Sequence, residues 1–169
     1  MIVTLNVPDH VSFQFVYRQV AKNTAKVDLD RDIEYVFVNS TGQAARQFGA
    51  IASYCGKPGA LKAAAKLAAK HRSFYMLKHA GKVVSAGWCT VGRCKYYKVE
   101  SDAVVIGPIW TDPKMRGKGL ATRALQLVLQ EHIGLGRTLF YIDTEKTNLP
   151  AQRVFEKCGF GAPVALYFK

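Results

Sequence analysis

Residues 104–129, VVIGPIWTDPKMRGKGLATRALQLVL, constrain the fold more than any other stretch of this chain. Val104 to Thr111 is an apolar, β-branched run stopped by Pro113, which reads as a buried strand. Leu120, Ala124, Leu125, Val128 and Leu129 then recur at the spacing of an amphipathic helix. The turn between them carries Arg116, Gly117, Lys118 and Gly119, so a basic, glycine-bearing turn opens directly into a helix. Amides of a first helical turn lack intrahelical partners and the helix dipole adds partial positive charge, so an anion is stabilised there. The two glycines let a phosphate reach the main chain with no Cβ in the way, and Arg116, Lys118 and Arg123 add full charges. The segment predicts a pyrophosphate cradle.

Two familiar cradles are excluded. A Walker loop needs G-x-x-x-x-G-K-[ST], and a dinucleotide fingerprint needs a third glycine where Thr122 stands. A second segment narrows the choice. Arg137 to Thr144 is a strand by composition, and Asn148 to Phe160 is a helix with Asn148 as N-cap, Pro150 in its first turn and Gly159 at its end.

Arg-x-x-Gly-x-Ala from Arg116 to Ala121 resembles the acetyl-CoA loop [QR]-x-x-G-x-[GA] of the GNAT superfamily of acyl-CoA N-acyltransferases. The block from Asn148 to Phe160 is similar to that family's N-x-x-A-x-x-x-[YF]-x-K-x-G-F pattern. The likeness is close over about residues 72 to 169 and positional over the first 70. It implies an α/β (α+β) fold: a mixed, mostly antiparallel central sheet, helices on both faces, and central strands that splay apart.

The resemblance also implies a site. Arg116, Gly117, Lys118, Gly119, Leu120 and Ala121 would hold the pyrophosphate of acetyl-CoA. Ile109, Trp110 and Thr111 would pair with its pantetheine arm as an added strand would, and Asn148 would bond to the same arm. Asp143, five residues before Asn148, stands where some members carry a catalytic carboxylate, and is the candidate base. Glu145 is set aside as facing the other way. Many members protonate the departing thiolate with a tyrosine at the position of Phe155, which has no proton to give; Tyr141, Tyr167 or water are the substitutes. Trp110 is placed at the acceptor pocket, whereas Trp88, Tyr96 and Tyr97 are assigned to core packing.

At 169 residues the chain fits one domain, residues 1–169. No window approaches the roughly 20 apolar residues of a membrane span and no secretory leader is evident, so a cytoplasmic protein is expected. Cys55, Cys89, Cys94 and Cys158 lack C-x-x-C spacing and no histidine pair completes a zinc site, so reduced thiols and no metal are expected. The net charge of +12 is unevenly placed: from Tyr35 to Val99 there is no Asp or Glu, but there are eleven Lys and Arg.

Such a field attracts anions and repels cations. The favoured function is therefore acetyl transfer to the primary amine of a small anionic acceptor such as a nucleotide-linked amino sugar, with aminoglycosides and polyamines disfavoured. A protein or ribosomal-protein N-acetyltransferase is the alternative. A non-catalytic acyl-CoA binder or a nucleic-acid-binding protein represents other classes, and the latter is weakened by the absence of an RNP-like motif or a helix-turn-helix pattern.

Elsewhere, Ile2 to Val7 reads as a strand, and Phe13 to Val20 fits helix or strand equally. Ile33 to Asn39 is expected as a strand, Gln43 to Tyr54 as a helix, and Ala60 to Lys70 as a second helix beyond the breakers Gly56, Pro58 and Gly59. Ser73–Lys78 and Lys82–Cys89 form a hairpin across Ala80-Gly81, with Asp102 to Thr111 returning beside it.

Overall fold

The computed structural model describes residues 12–21, 26–69 and 71–168; the strand expected over Ile2 to Val7 lies outside them. Strands β1 (Phe13–Val20), β2 (Ile33–Val38), β3 (Arg72–His79), β4 (Lys82–Val91), β5 (Val104–Thr111), β6 (Leu139–Glu145) and β7 (Ala165–Phe168) form one sheet in the order β2-β3-β4-β5-β6-β1-β7. Every pair is antiparallel except β5–β6, which is parallel. Helices α1 (Thr41–Arg46) and α2 (Phe48–Ala68) lie before β3, α3 (Leu120–Gly134) joins β5 to β6, and α4 (Leu149–Lys157) joins β6 to β7.

Alternation along the strands divides the core between the two faces. Tyr75, Leu77, Ile106, Phe140 and Ile142 face α3 and α4, where they meet Leu125, Val128, Leu129 and Phe155. Phe74, Met76 and Ala86 face α2 and pack on Ile51, Ala60, Ala63 and Leu67. On that same side the segment 92–103 folds back over β5, β6 and β1, with Tyr97 and Val99 against Val105 and Tyr141.

Local sequence explains most ends. Ala80 (φ 47) and Gly81 (φ 76) are the two left-handed residues of a tight hairpin turn between β3 and β4. Gly159 (φ 90) ends α4: the Phe160 N–H donates to the Phe155 carbonyl, the Gly159 N–H to that of Glu156, and the two phenyl rings pack at 6.1 Å. Two expectations change. The helix read over Gln43 to Tyr54 is interrupted at Gln47, which ends α1 and starts α2. The break at Gly56 (φ 75, ψ 162) is real, but the chain re-enters the helical path at once, with Pro58 tolerated in a fresh first turn. Phe13 to Val20 is a strand because β6 and β7 flank it.

Inside the α3 side, His132 is 1% exposed, its Nε2 3.2 Å from Ser73 Oγ and its Nδ1 3.2 Å from Arg137. Burial, reinforced by the Arg137 charge, pushes its pKa down to about 4. The folded pKa lies below the unfolded one, so the neutral ring adds stability above the ordinary histidine range, and this is lost as pH falls from 6.5 toward 4. The contribution is about 3 kcal/mol. Urea midpoints measured from pH 7 to 4 should fall accordingly, and H132Q should lose that part of the slope.

Candidate active site

The site is made by two strands parting. β5 and β6 pair only through Val104↔Phe140, Val105↔Tyr141 and Ile106↔Ile142. At that point Trp88 of β4 opposes both Gly107 and Pro108, a bulge, and Pro108 has no N–H for a ladder. Beyond the bulge β5 stays with β4 (Gly87↔Ile109, Ala86↔Trp110, Ser85↔Thr111), while β6 stays with β1 as far as Gln14↔Glu145. The edge of β5 over Ile109, Trp110 and Thr111 is therefore open toward β6. Gly87 is fixed beneath this region: a Cβ there would collide with the phenol ring of Tyr75.

The gap belongs to a cleft of about 1480 Å³ lined by both strands. A single drug-sized ligand takes roughly 300–1,000 Å³, so there is space for two substrates. One mouth lies under α3 and α4. There Gly117 (φ 79) and Gly119 (φ 74) are left-handed, and a Cβ on either would meet nothing within 4 Å. Gly119 is the N-cap of α3 and no side chain caps it, which leaves the amides of Leu120, Ala121 and Thr122 without intrahelical partners. Asp112 holds the preceding turn by accepting from the Lys114 N–H at 2.9 Å, and Arg116 Nε donates to the Thr111 carbonyl at 3.2 Å.

Most residues named from sequence meet here. Ile109, Trp110, Thr111, Arg116, Gly117, Gly119, Leu120, Ala121, Asn148 and Phe155 all line the cleft with Asp143. Three do not. Lys118 turns its amine toward Met115 Sδ, 3.5 Å away. Arg123, expected to add charge to the cradle, is paired with Asp30 at 2.7 Å. Tyr141 sits behind the cleft wall, its hydroxyl donating to Glu100 at 2.9 Å and accepting from Arg18 Nε at 3.1 Å. Asn148 caps α4 by accepting from the Ala151 N–H at 3.2 Å, and its Nδ2 donates to Thr144 Oγ1 at 3.0 Å. Phe155 is buried edge-on against Tyr17 at 5.3 Å.

Asp143 is half-buried on the face away from α3. Its Oδ2 accepts from the Tyr167 hydroxyl at 2.5 Å and its Oδ1 from the Tyr97 hydroxyl at 3.4 Å. Burial and the neighbouring carboxylate both push the two tyrosines above the ordinary phenol range, so they stay protonated donors. Glu145 corrects the sequence reading: β6 continues through it, and two residues along a strand return to the same face, so it shares Asp143's side and lines the cleft, exposed. Tyr97 is no mere packing residue, and Trp88 and Tyr96 also line the cleft.

The second mouth, between α2 and the 92–103 segment, is basic. Lys66, Arg72, Arg93 and Lys95 line it with His71, and among the described residues none of these lysines and arginines is paired with a carboxylate. Lys66 Nζ lies 5.3 Å from the centroid of Trp88, and Tyr54, Phe74, Trp88 and Trp110 pack in series behind it.

A model of the Acetyltransferase (GNAT) family matches residues 42–160. The chain belongs to that family. It is thus an acyltransferase, and its sheet, splayed beside the α3 turn, is the family fold. A search of curated proteins finds no match. Solved structures resemble this acetyltransferase at low identity. Aminoglycoside N-acetyltransferase AAC(6')-Iy in complex with CoA is 19% identical, with TM-score 0.62 over 82% of this chain and 97% of that one. A GNAT-family acetyltransferase from Colwellia psychrerythraea is 19% identical, with TM-score 0.63 over 93% of this chain and 54% of that one. A predicted acetyltransferase with acetyl-CoA from Clostridium acetobutylicum is 15% identical, with TM-score 0.53 over 78% and 92%. These likenesses concern the fold. Among the described residues no helix is long and apolar enough to cross a membrane.

Proposed function

We propose that the protein moves an acetyl group from acetyl-CoA to the primary amine of a small anionic acceptor, such as a nucleotide-linked amino sugar, by direct attack within a ternary complex. The observation that carries this reading is the uncapped, glycine-flanked N-terminus of α3, opening onto a cleft that passes between β5 and β6 to Asp143. The space above Gly117 and Gly119 fits a diphosphate that approaches the main chain closely. Arg116, Gly117, Lys118, Gly119, Leu120 and Ala121 hold it, Lys118 through its backbone. The open edge over Ile109, Trp110 and Thr111 and the remaining amide hydrogen of Asn148 hold the pantetheine arm, with Phe155 as an apolar floor.

Acetyl-CoA supplies an activated thioester. An amide of the open β5 edge donates to its carbonyl as negative charge develops there, worth roughly 3–4 kcal/mol in comparable sites. Asp143 takes the proton of the incoming amine, directly or through water. With Phe155 unable to donate and the Tyr141 hydroxyl engaged by Glu100 and Arg18, the thiolate departs unaided or with a proton from water, which its pKa of about 8–9 permits near neutral pH. Some similar structures are of aminoglycoside enzymes, but a polycation would here meet Lys66, Arg72, Arg93 and Lys95, so the acceptor mouth favours an anion.

The test is thiol release from acetyl-CoA with a panel of UDP- and TDP-linked amino sugars, an aminoglycoside and a polyamine. Release with the nucleotide-linked amines is expected; CoA binding without release for any amine would leave a binder, and faster release with the polycations would reverse the acceptor assignment. Y167F, which removes one donor to Asp143, should lower turnover about tenfold, the scale of one hydrogen bond to a charged group, with KM for acetyl-CoA unchanged.

A further inference from the structure

We infer that the acceptor mouth holds an anion subsite separate from the α3 cradle, in which Arg72, Arg93 and Lys66 bind the diphosphate of a nucleoside diphosphate ester and Trp88 stacks on its ring. The inference rests on the proposed function and adds to it the residues that select the substrate. Arg72 opens β3 directly across from Thr90 of β4, and the His71 carbonyl accepts from the Val91 N–H at 2.8 Å. Arg93 follows Gly92, whose left-handed turn (φ 67) is tied by its N–H to the Ala103 carbonyl at 2.8 Å. A Cβ at Gly92 would strike the Ser101 carbonyl, so the chain can leave β4 in this direction only with glycine there. The two arginines thus rise from adjacent strand ends at one rim of the cleft, and Lys66 of α2 reaches the same rim over the Trp88 indole.

The charges are uncompensated. Lys78, His79, Arg18 and Arg123 each have a carboxylate within 4.0 Å, whereas the rim cations have none among the described residues. The segment that supplies them, Tyr35 to Val99, has no Asp or Glu with which to make one. Two guanidinium forks and an ammonium suit phosphoryl oxygens, which accept in pairs, better than a lone carboxylate. Trp88 lines the cleft with Phe74 4.9 Å from its ring and Lys66 Nζ 5.3 Å from its centroid, so the lysine, on turning to a phosphate, uncovers indole surface for the ring. Trp110 and Tyr96 also line the cleft, and Trp88 is the ring beside Lys66, so it is placed to take the one ring attached to the diphosphate.

The subsite lies on the α2 face of the sheet and the α3 cradle on the other. Both can therefore be filled together, with the β5–β6 gap between them, where Asp143 would meet the amine-bearing end of the ester.

The test is calorimetric titration of the protein, first saturated with CoA, with uridine diphosphate and with inorganic pyrophosphate. The expected result is one site for each, tighter for uridine diphosphate. R72A and R93A should each weaken both by roughly 10–100-fold, the scale of charge-assisted hydrogen bonds, and W88L should weaken uridine diphosphate alone. CoA affinity should be unchanged in all three variants, which also serves as the control for folding. Binding of uridine diphosphate only in competition with CoA, unchanged affinity in both arginine variants, or tighter salt-sensitive binding of single-stranded RNA would overturn the subsite. Failure of CoA itself to bind would instead remove the reading of α3 on which it rests.

Discussion

Asp143→Asn is expected to lower turnover by roughly 10²–10⁴-fold while the affinity for CoA stays nearly constant, because the substitution removes a proton acceptor and little else. Asparagine keeps the size of the side chain and one acceptor oxygen, so either Tyr167 or Tyr97 can still donate to it. Its amide cannot take a proton from an ammonium or a water. The residue stands on the face of the sheet away from α3, so the loop from Arg116 to Ala121 should be untouched. Turnover equal to the parent's would exclude Asp143 as the base and bring forward Glu145, which shares its face and its cleft.

Gly119→Val is expected to raise the dissociation constant for CoA by roughly 10–100-fold, for two separable reasons. A β-branched residue at φ 74 is strained, at a cost of about 1–2 kcal/mol, and thermal unfolding would report this. Nothing in the protein lies within 4 Å of the new Cβ, so the chain still folds. The side chain instead occupies the space over the unpartnered amides of Leu120 and Ala121, where a phosphate oxygen would sit. Gly119→Ala carries a similar backbone strain with less bulk, and should lose less affinity than the valine. An unaltered dissociation constant in the valine variant would place the diphosphate elsewhere.

The parts legible in the sequence are those written locally. The strand, turn and helix from Val104 to Leu129, the Ala80-Gly81 hairpin and the Asn148 cap each follow from residues within a turn of one another. What escaped is set by distant partners. Tyr167 and Tyr97 reach Asp143 from 24 and 46 residues away; nothing near either tyrosine marks it as a donor to that carboxylate. β7 is four residues long and exists because Phe13 to Val16 offer it an edge. The divergence of β5 from β6 did leave a trace: Gly107-Pro108 inside an apolar strand signals a bulge, and there the pairing stops. The acid-free stretch from Tyr35 to Val99 announced a positive surface, but only the folded chain brings Lys66, Arg72, Arg93 and Lys95 to one mouth.

The account depends on the α3 amides gripping a diphosphate whose attached thioester is thereby aimed between β5 and β6. A crystal structure with bound CoA tests this most directly. The account predicts diphosphate oxygens within hydrogen-bonding distance of the backbone amides of residues 117–121, and the thiol sulfur in the β5–β6 gap facing Asp143; a diphosphate bound elsewhere, or a sulfur outside the gap, would contradict it.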